Sequence, residues 1–216
     1  MLDVHPPHEP VHSWRDFFIH LATITIGLLI ALGLEGCVEW IHHRSLVHEA
    51  EVSLHDEIRR NAEGLSKYLE DVHKQQDVLS KDVVVLKEII RTNKQPEKGS
   101  MEINFHIRSF DNVSWQTVQS TGTLAYMPYA RAQEYSDIYS AQSEIDVAQH
   151  QAARDAIISL APFLNISDAD PNPTPEQATQ IKQHIEVLQG QLMLLSAMVT
   201  SLDAEYKKFL KAHPEL

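Results

Sequence analysis

The sequence predicts an all-α protein, in which an N-terminal transmembrane helix is continuous with a long stalk helix and is followed by an antiparallel three- to four-helix bundle with coiled-coil heptads. Three observations support this fold class. The 216 residues include only 7 glycines, which argues against a turn-rich β fold. Apolar residues recur at alternating spacings of three and four, as on one face of a helix. No proline occurs between Val11 and Pro96, so nothing in that stretch has to break a helix.

The segment of residues 17–38 is predicted to cross a membrane, within a helix over residues 14–40. A span needs about 20 mostly apolar residues, and residues 21–34 contain no charged side chain. Trp14 and Trp40 flank the segment at the depth where aromatic belts lie. We therefore expect a single-pass protein with membrane lipid as a partner. A short tail before one span and a large acidic domain after it suit the cell inner membrane of a bacterium, with the C-terminal domain on the periplasmic or extracytoplasmic side.

The apolar segment also has two alternative interpretations. A cleaved signal peptide is the first, although Arg15 is the only basic residue before the apolar run and no A-x-A site follows it. The second is a lipoprotein, because Leu34-Glu35-Gly36-Cys37 resembles a bacterial lipobox, in which Cys37 would be lipidated. Attachment through a span or through a lipid would place the chain at a membrane.

Small and polar residues form one stripe along the predicted span, at Thr23, Gly27, Ala31 and Glu35. Small residues let membrane helices approach closely, and a polar group adds an interhelical hydrogen bond. We expect the stripe to pack against another span, from a homo-oligomer or from a partner membrane protein, although such residues are also ordinary in membrane helices.

Residues 41–92 are predicted to form a stalk and bundle helix. Its apolar residues over 65–90 follow a heptad register that only Gln76 interrupts, and an extra four-residue step upstream marks a stutter. The later helices are too short to cover all of it, so we expect residues 42–55 to be exposed.

The remaining segments are a loop with a short helix over residues 93–127, a third helix over 128–161 and a C-terminal helix over 174–213. The C-terminal helix begins with Thr174-Pro175-Glu176-Gln177, an N-cap followed by proline at the first helical position and a capping-box glutamine. Its apolar residues alternate spacings of four and three over 181–209. The expected inner face of the third helix is Ala132, Tyr135, Tyr139, Gln142, Val147, Ala153, Ile157 and Leu160.

Two clusters are candidates for binding. Glu35, Glu39 and His43 share one helix face, and with a second copy alongside they could form an interfacial cation or pH-sensitive site; a polar collar at headgroup depth is the alternative. Aromatic residues gather around Gly122 and suggest a ligand pocket, with core packing as the alternative. The pocket residues would be Trp115, Tyr126, Tyr135 and Tyr139.

Catalytic residues, cofactors and metal ligands are not predicted. The tail of residues 1–13 holds three histidines, but prolines prevent their clustering on a helix. Glu39-x-x-His42 and Glu70-x-x-His73 have di-iron spacing, yet they lie roughly 46 Å apart on one predicted helix. The net charge of −12 repels nucleic-acid phosphates, and the single cysteine excludes an intrachain disulfide. We expect a non-enzymatic scaffold or accessory subunit of an envelope assembly, or alternatively a membrane-anchored sensor of a small ligand.

The run Gly27-Leu28-Leu29-Ile30-Ala31-Leu32, followed by Trp40, resembles the anchor of a family of uncharacterised single-span bacterial membrane proteins. That family's W…S-x-G-x-L…Y stretch is resembled by Trp115, Ser120-Thr121-Gly122, Leu124 and Tyr139. The resemblance implies an N-terminal anchor and a helical extracytoplasmic domain, and it implies no catalytic residues.

Overall fold

The computed structural model describes residues 14–94, 107–161 and 173–214, so the histidine-containing tail of residues 1–13 lies outside the described residues. Within these ranges the chain is all-α and contains no strand, which confirms the predicted class. The chain divides into two compact units, residues 1–48 and 49–216. The described helices are α1 (Trp14–Glu63), α2 (Leu65–Thr92), α3 (Val113–Ser120), a 3-10 helix (Thr123–Tyr126), α4 (Tyr129–Leu160) and α5 (Pro175–Ala212).

The described part of the first unit is entirely helical, and its side chains are mostly exposed. The hydroxyls of Thr23 and Thr25 each donate a hydrogen bond of 2.8 Å to the carbonyl four residues earlier. These polar groups are therefore satisfied within α1 itself, as a helix in an apolar medium requires.

A single residue, Gly64, separates α1 from α2, where the sequence predicts one uninterrupted helix. The guanidinium of Arg108 donates hydrogen bonds to the carbonyls of Gly64 (3.0 Å) and Asn61 (3.1 Å). A Cβ atom added at position 64 would overlap that guanidinium, so glycine allows its close approach. A cation at these carbonyls is also favoured by the dipole of α1, which is negative at this end.

Helix α5 packs against both α2 and α4. The residue numbers of the paired positions run in opposite order in both contacts. Side-chain hydrogen bonds join the helices at His73–Ser196 (3.0 Å), Ser80–Gln189 (3.1 Å), Asp155–Gln191 and Glu134–His213 (3.1 Å).

Helix α5 has the predicted start, and the residues predicted to form its apolar face are buried. The N-terminus has the predicted capping box: the Thr174 hydroxyl accepts from the Gln177 N–H (3.3 Å), and the Gln177 side chain accepts from the Thr174 N–H (2.8 Å). The nine residues of the predicted apolar face are all buried, namely Ile181, Ile185, Leu188, Leu192, Leu195, Val199, Leu202, Tyr206 and Phe209.

The inner face predicted for α4 is wrong in its second half. Val147 and Ile157 were expected to face inward, but each is 70% exposed. Large side chains on α5 fill the interface, so α4 presents small residues there, such as Ala152 and Ala156, which carry little hydrophobic signal. The buried residues of α4 are Tyr135, Ile138, Tyr139, Gln142, Ile145, Gln149, Ala152, Ala156 and Ser159.

The stretch expected to be exposed, residues 42–55, is shorter than predicted. Leu54 and His55 are buried, and the ring of His55 lies 6.1 Å from that of Phe209 on α5. Arg131 on α4 forms an ion pair of 3.5 Å with Glu51. The end of α5 and the start of α4 thus cover α1 from about Glu51 onward. Helix lengths alone did not predict how far along α1 this contact extends.

Candidate functional site

A non-helical segment of residues 107–112 is held by two amide side chains. Gln149 on α4 accepts from the N–H of Arg108 (3.0 Å) and donates to its carbonyl (2.6 Å). Asn61 on α1 engages Asp111 in the same way, accepting from its N–H (2.9 Å) and donating to its carbonyl (2.8 Å). An amide offers a donor and an acceptor side by side, so each clamp satisfies both peptide groups of one residue.

The carboxylate of Glu57 forms a second buried polar network, with groups on α3 and α4. It is 1% exposed, and it accepts hydrogen bonds from the Tyr139 hydroxyl (2.6 Å) and from the Ser114 N–H (2.7 Å). Ser114 lies in the first turn of α3, where unpaired N–H groups and the helix dipole favour a negative charge. A buried carboxylate with two donors is compensated, and here it joins α1, α3 and α4.

The four residues predicted as a ligand pocket lie in different environments. Trp115 stacks face to face on Tyr139, with ring centroids 5.0 Å apart and planes at 3°. Tyr135 is fully buried against Phe209, and Tyr126 is half exposed. The structure therefore brings Trp115 and Tyr139 together, and it uses the Tyr139 hydroxyl to bind Glu57. Binding of a ligand by these residues stays a prediction.

Four tyrosines of the core resist ionisation. Burial, with a further contribution from Asp146, raises the pKa of Tyr68 to about 12. Burial is also the largest cause of the raised pKa values of Tyr135, Tyr139 and Tyr206. Charging any of these rings inside the domain is unfavourable, because the phenolate would lose its hydration.

We expect the stability of the domain to fall as the pH rises above 10. Tyr68 has a pKa near 10 when unfolded and about 12 when folded, so its contribution is complete below pH 10 and is lost between pH 10 and 12. Urea unfolding at several pH values from 8 to 12 measures the slope of the free energy of unfolding against pH. Tyr68→Phe should reduce the slope by up to about one proton. An unchanged slope in that variant would contradict the assignment, and Tyr129→Phe is the control because its ring is exposed.

The residues of the predicted span stripe and polar collar all lie on α1. Thr23, Gly27, Ala31 and Glu35 are exposed, and a Cβ atom at Gly27 would meet nothing within 4 Å. Glu39 and His43 approach to 4.0 Å. The use of either set as an interface stays a prediction. In the described part of the chain, no group of three or more His, Cys, Asp and Glu side chains is arranged to hold a metal ion.

The second candidate di-iron motif, Glu70-x-x-His73, has other contacts within the chain. Glu70 forms an ion pair of 2.8 Å with Lys74, and His73 is hydrogen-bonded to Ser196 on α5. Both members of the second motif therefore have partners in the chain.

Sequence reasoning missed Glu57, Asn61, Arg108 and Gln149. Each is a polar residue on or beside a predicted helix, where a solvated position is the ordinary expectation. Their partners lie between 41 and 82 residues away along the chain. The sequence did indicate one buried polar residue: Gln142 falls within the predicted inner face of α4, and it is buried.

Comparisons of the chain with protein-family models, with curated proteins and with solved structures find no match. The resemblance to a family of single-span membrane proteins stays a prediction from the residues quoted above.

Proposed function

We propose that this chain is a single-pass, membrane-anchored helical scaffold or accessory subunit of a cell-envelope assembly and that it is not an enzyme. The observation that supports the proposal is the exposed apolar surface of α1. Two helical stretches, Trp14–Thr92 and Pro175–Ala212, each contain a segment that is long and apolar enough to cross a membrane. The apolar segment of the first stretch has a mean hydropathy of 2.3 and is 0% buried, whereas that of the second has a mean hydropathy of 1.4 and is 33% buried.

The burial of each helix favours α1 as the membrane span. Large apolar side chains such as Leu29 and Ile30 point outward all around α1 and remain exposed. Exposure to water costs about 25 cal/mol per Å² of apolar surface, and a lipid environment removes that cost. Helix α5 instead has one continuous buried face within the domain, as a core helix of a water-soluble domain does.

Aromatic residues at both ends of the apolar segment agree with this role. Trp14 packs on Phe17 and Phe18, with ring centroids 5.8 and 5.0 Å apart. At the other end, the Arg44 guanidinium lies 5.4 Å from the centroid of the Trp40 ring. Aromatic rings and snorkelling cations are the side chains that favour the membrane–water interface.

The second unit fits an antiparallel bundle with coiled-coil heptads as its assembly module. The opposite order of paired residues along α5 and its two neighbours supports the antiparallel direction. The alternation of three and four between the buried residues of α5 supports the heptads. We place this domain on the periplasmic or extracytoplasmic side of the inner membrane, which protease treatment of spheroplasts would test.

Membrane fractionation with paired arginine variants tests the anchor. The full chain should stay in the membrane pellet after alkaline carbonate washing. Ile26→Arg with Leu29→Arg should release most of it, because each central arginine costs about 2.5–3.5 kcal/mol on insertion. The matched control is Val187→Arg with Met193→Arg at exposed positions of α5, which should leave the chain in the pellet. Release of the unaltered full chain without detergent would contradict the proposal.

Intact-mass measurement of the membrane-extracted protein separates the two kinds of anchor. Cys37 is exposed on α1. A transmembrane anchor leaves the full polypeptide mass unchanged. Loss of residues 1–36 together with added acyl chains would establish the lipoprotein instead.

A further inference from the structure

The outward side of α5 lacks the charged residues that a solvated helix face ordinarily has. Between Glu186 and Asp203 no residue is charged, although only one side of this stretch is buried in the domain. Met193 is 73% exposed and Leu194 is 58% exposed. A face opposite the core is ordinarily polar or charged, and a contiguous uncharged face that includes large apolar side chains marks an interaction surface.

The exposed residues on this side have a heptad register of their own. Their spacing is 3, 4, 3, 4 and 3, and they lie on the side of α5 opposite its buried residues. Gly190 leaves open space, since a Cβ atom there would meet nothing within 4 Å. Small residues in such a row let another helix approach closely. We name this row the outer seam; it consists of Val187, Gly190, Leu194, Ala197, Ser201 and Ala204.

We infer that the outer seam binds the outer seam of a second copy of this chain, with the two α5 helices antiparallel. The inference rests on the assembling role proposed above. A two-fold pairing centred at Leu194 opposes Val187 to Ser201 and brings Gly190 within one residue of the level of Ala197, so small residues meet small or short ones. Such a pairing uses the same patch on both copies and closes as a dimer.

The charges beyond the seam select the antiparallel direction. Continuing the same register reaches Glu176 in the first turn of α5, and Lys208 and Lys211 near its end; all three are exposed. Antiparallel pairing places Lys211 of one copy beside Glu176 of the other and Lys208 beside the neutral Gln180. Parallel pairing would place each lysine against its own counterpart, and like charges in contact are unfavourable. Antiparallel helices also oppose their dipoles favourably.

Cysteine cross-linking of the full chain in mild detergent tests the direction, with Cys37→Ser as background. A mixture of Gln183→Cys and Ala204→Cys proteins should give a disulfide-linked dimer that contains both variants, because these positions come within one residue of the same level across the two-fold axis. A dimer formed by Gln183→Cys alone would indicate parallel pairing and would overturn the inference. Absence of any cross-link in the mixture would also overturn the inference. The control is Val84→Cys, at an exposed site of α2, which measures the cross-linking that arises from random collisions.

A charge at the seam tests its energetic role. Leu194→Glu places two carboxylates against each other at the two-fold axis and should weaken the dimer about tenfold or more, as followed by analytical ultracentrifugation. An equal mixture of Leu194→Glu and Leu194→Lys proteins should restore it, and circular dichroism verifies folding. Val84→Glu is the matched control, an exposed aliphatic residue changed to glutamate away from the seam. A dimer that tolerates Leu194→Glu overturns the inference.

The failure of this inference is distinct from the failure of the proposed function. A strictly monomeric chain that still sediments with membranes would refute the seam and leave the anchor intact. A cross-linked dimer that washes off membranes would refute the anchor and leave the seam intact.

Discussion

Replacing Glu57 by alanine is expected to lower the free energy of unfolding of the helical domain by about 2–4 kcal/mol. The change leaves the Tyr139 hydroxyl and the Ser114 N–H buried without their acceptor, and it removes the link among α1, α3 and α4. Urea unfolding of the full chain in mild detergent, followed by circular dichroism, measures the loss. With Trp14 and Trp40 replaced by phenylalanine, the fluorescence of Trp115 provides a local readout, because its ring stacks on Tyr139.

Two control variants separate the network from the general effect of removing a carboxylate. Glu57→Gln keeps an acceptor oxygen and should cost less than Glu57→Ala. Glu63→Ala removes an exposed carboxylate from the same helix and should change stability by no more than about 0.5 kcal/mol. If Glu57→Ala cost no more than Glu63→Ala, the buried network would not be a stabilising element of the domain.

Replacing Leu195 by alanine is expected to cost about 2–5 kcal/mol, whereas the same change at the adjacent Leu194 should cost below about 1 kcal/mol. Leu195 is 0% exposed and lies in the core of α5, so its truncation leaves a cavity. Both substitutions change helix propensity equally, and the difference between them therefore isolates burial. The unfolding experiment is performed at a protein concentration below that of dimer formation.

Equal losses at the two positions would contradict the rotation of α5 that the structure shows. A large loss at Leu194 with little loss at Leu195 would reverse the buried and outward faces, and it would also remove the basis for the outer seam.

Local chemistry sufficed to predict several parts of the fold. The capping box at Thr174 forms because its donors and acceptors lie within three residues of one another. The predicted end of the stalk and bundle helix at residue 92 is the end of α2, where Asn93 adopts the left-handed conformation that asparagine tolerates. The buried face of α5 was predicted because every position in it is strongly apolar, so no other rotation of the helix would bury as much surface.

The second half of α4 shows where this reasoning fails. The most apolar residues there, Val147 and Ile157, were assigned to the core, and both are exposed. Helix α5 already supplies bulky side chains to the interface, so close packing on α4 selects alanine and serine rather than large residues. Which face of α4 turns inward therefore depends on the volume of its neighbour, and its own hydrophobicity does not report that volume.

By itself, the sequence determined the helical class, the long uncharged segment of α1 and the register of α5, because each follows from contacts within a few residues or from the transfer of apolar surface out of water. Only the tertiary structure decided the junction at Gly64, the burial of Glu57 and the clamp of Gln149 on Arg108. A polar residue on a helix is ordinarily solvated, and it becomes buried only where a donor or acceptor from a distant segment meets it. The outer seam also required the structure, since an uncharged helix face can be recognised as unpaired only once the opposite face is known to be filled.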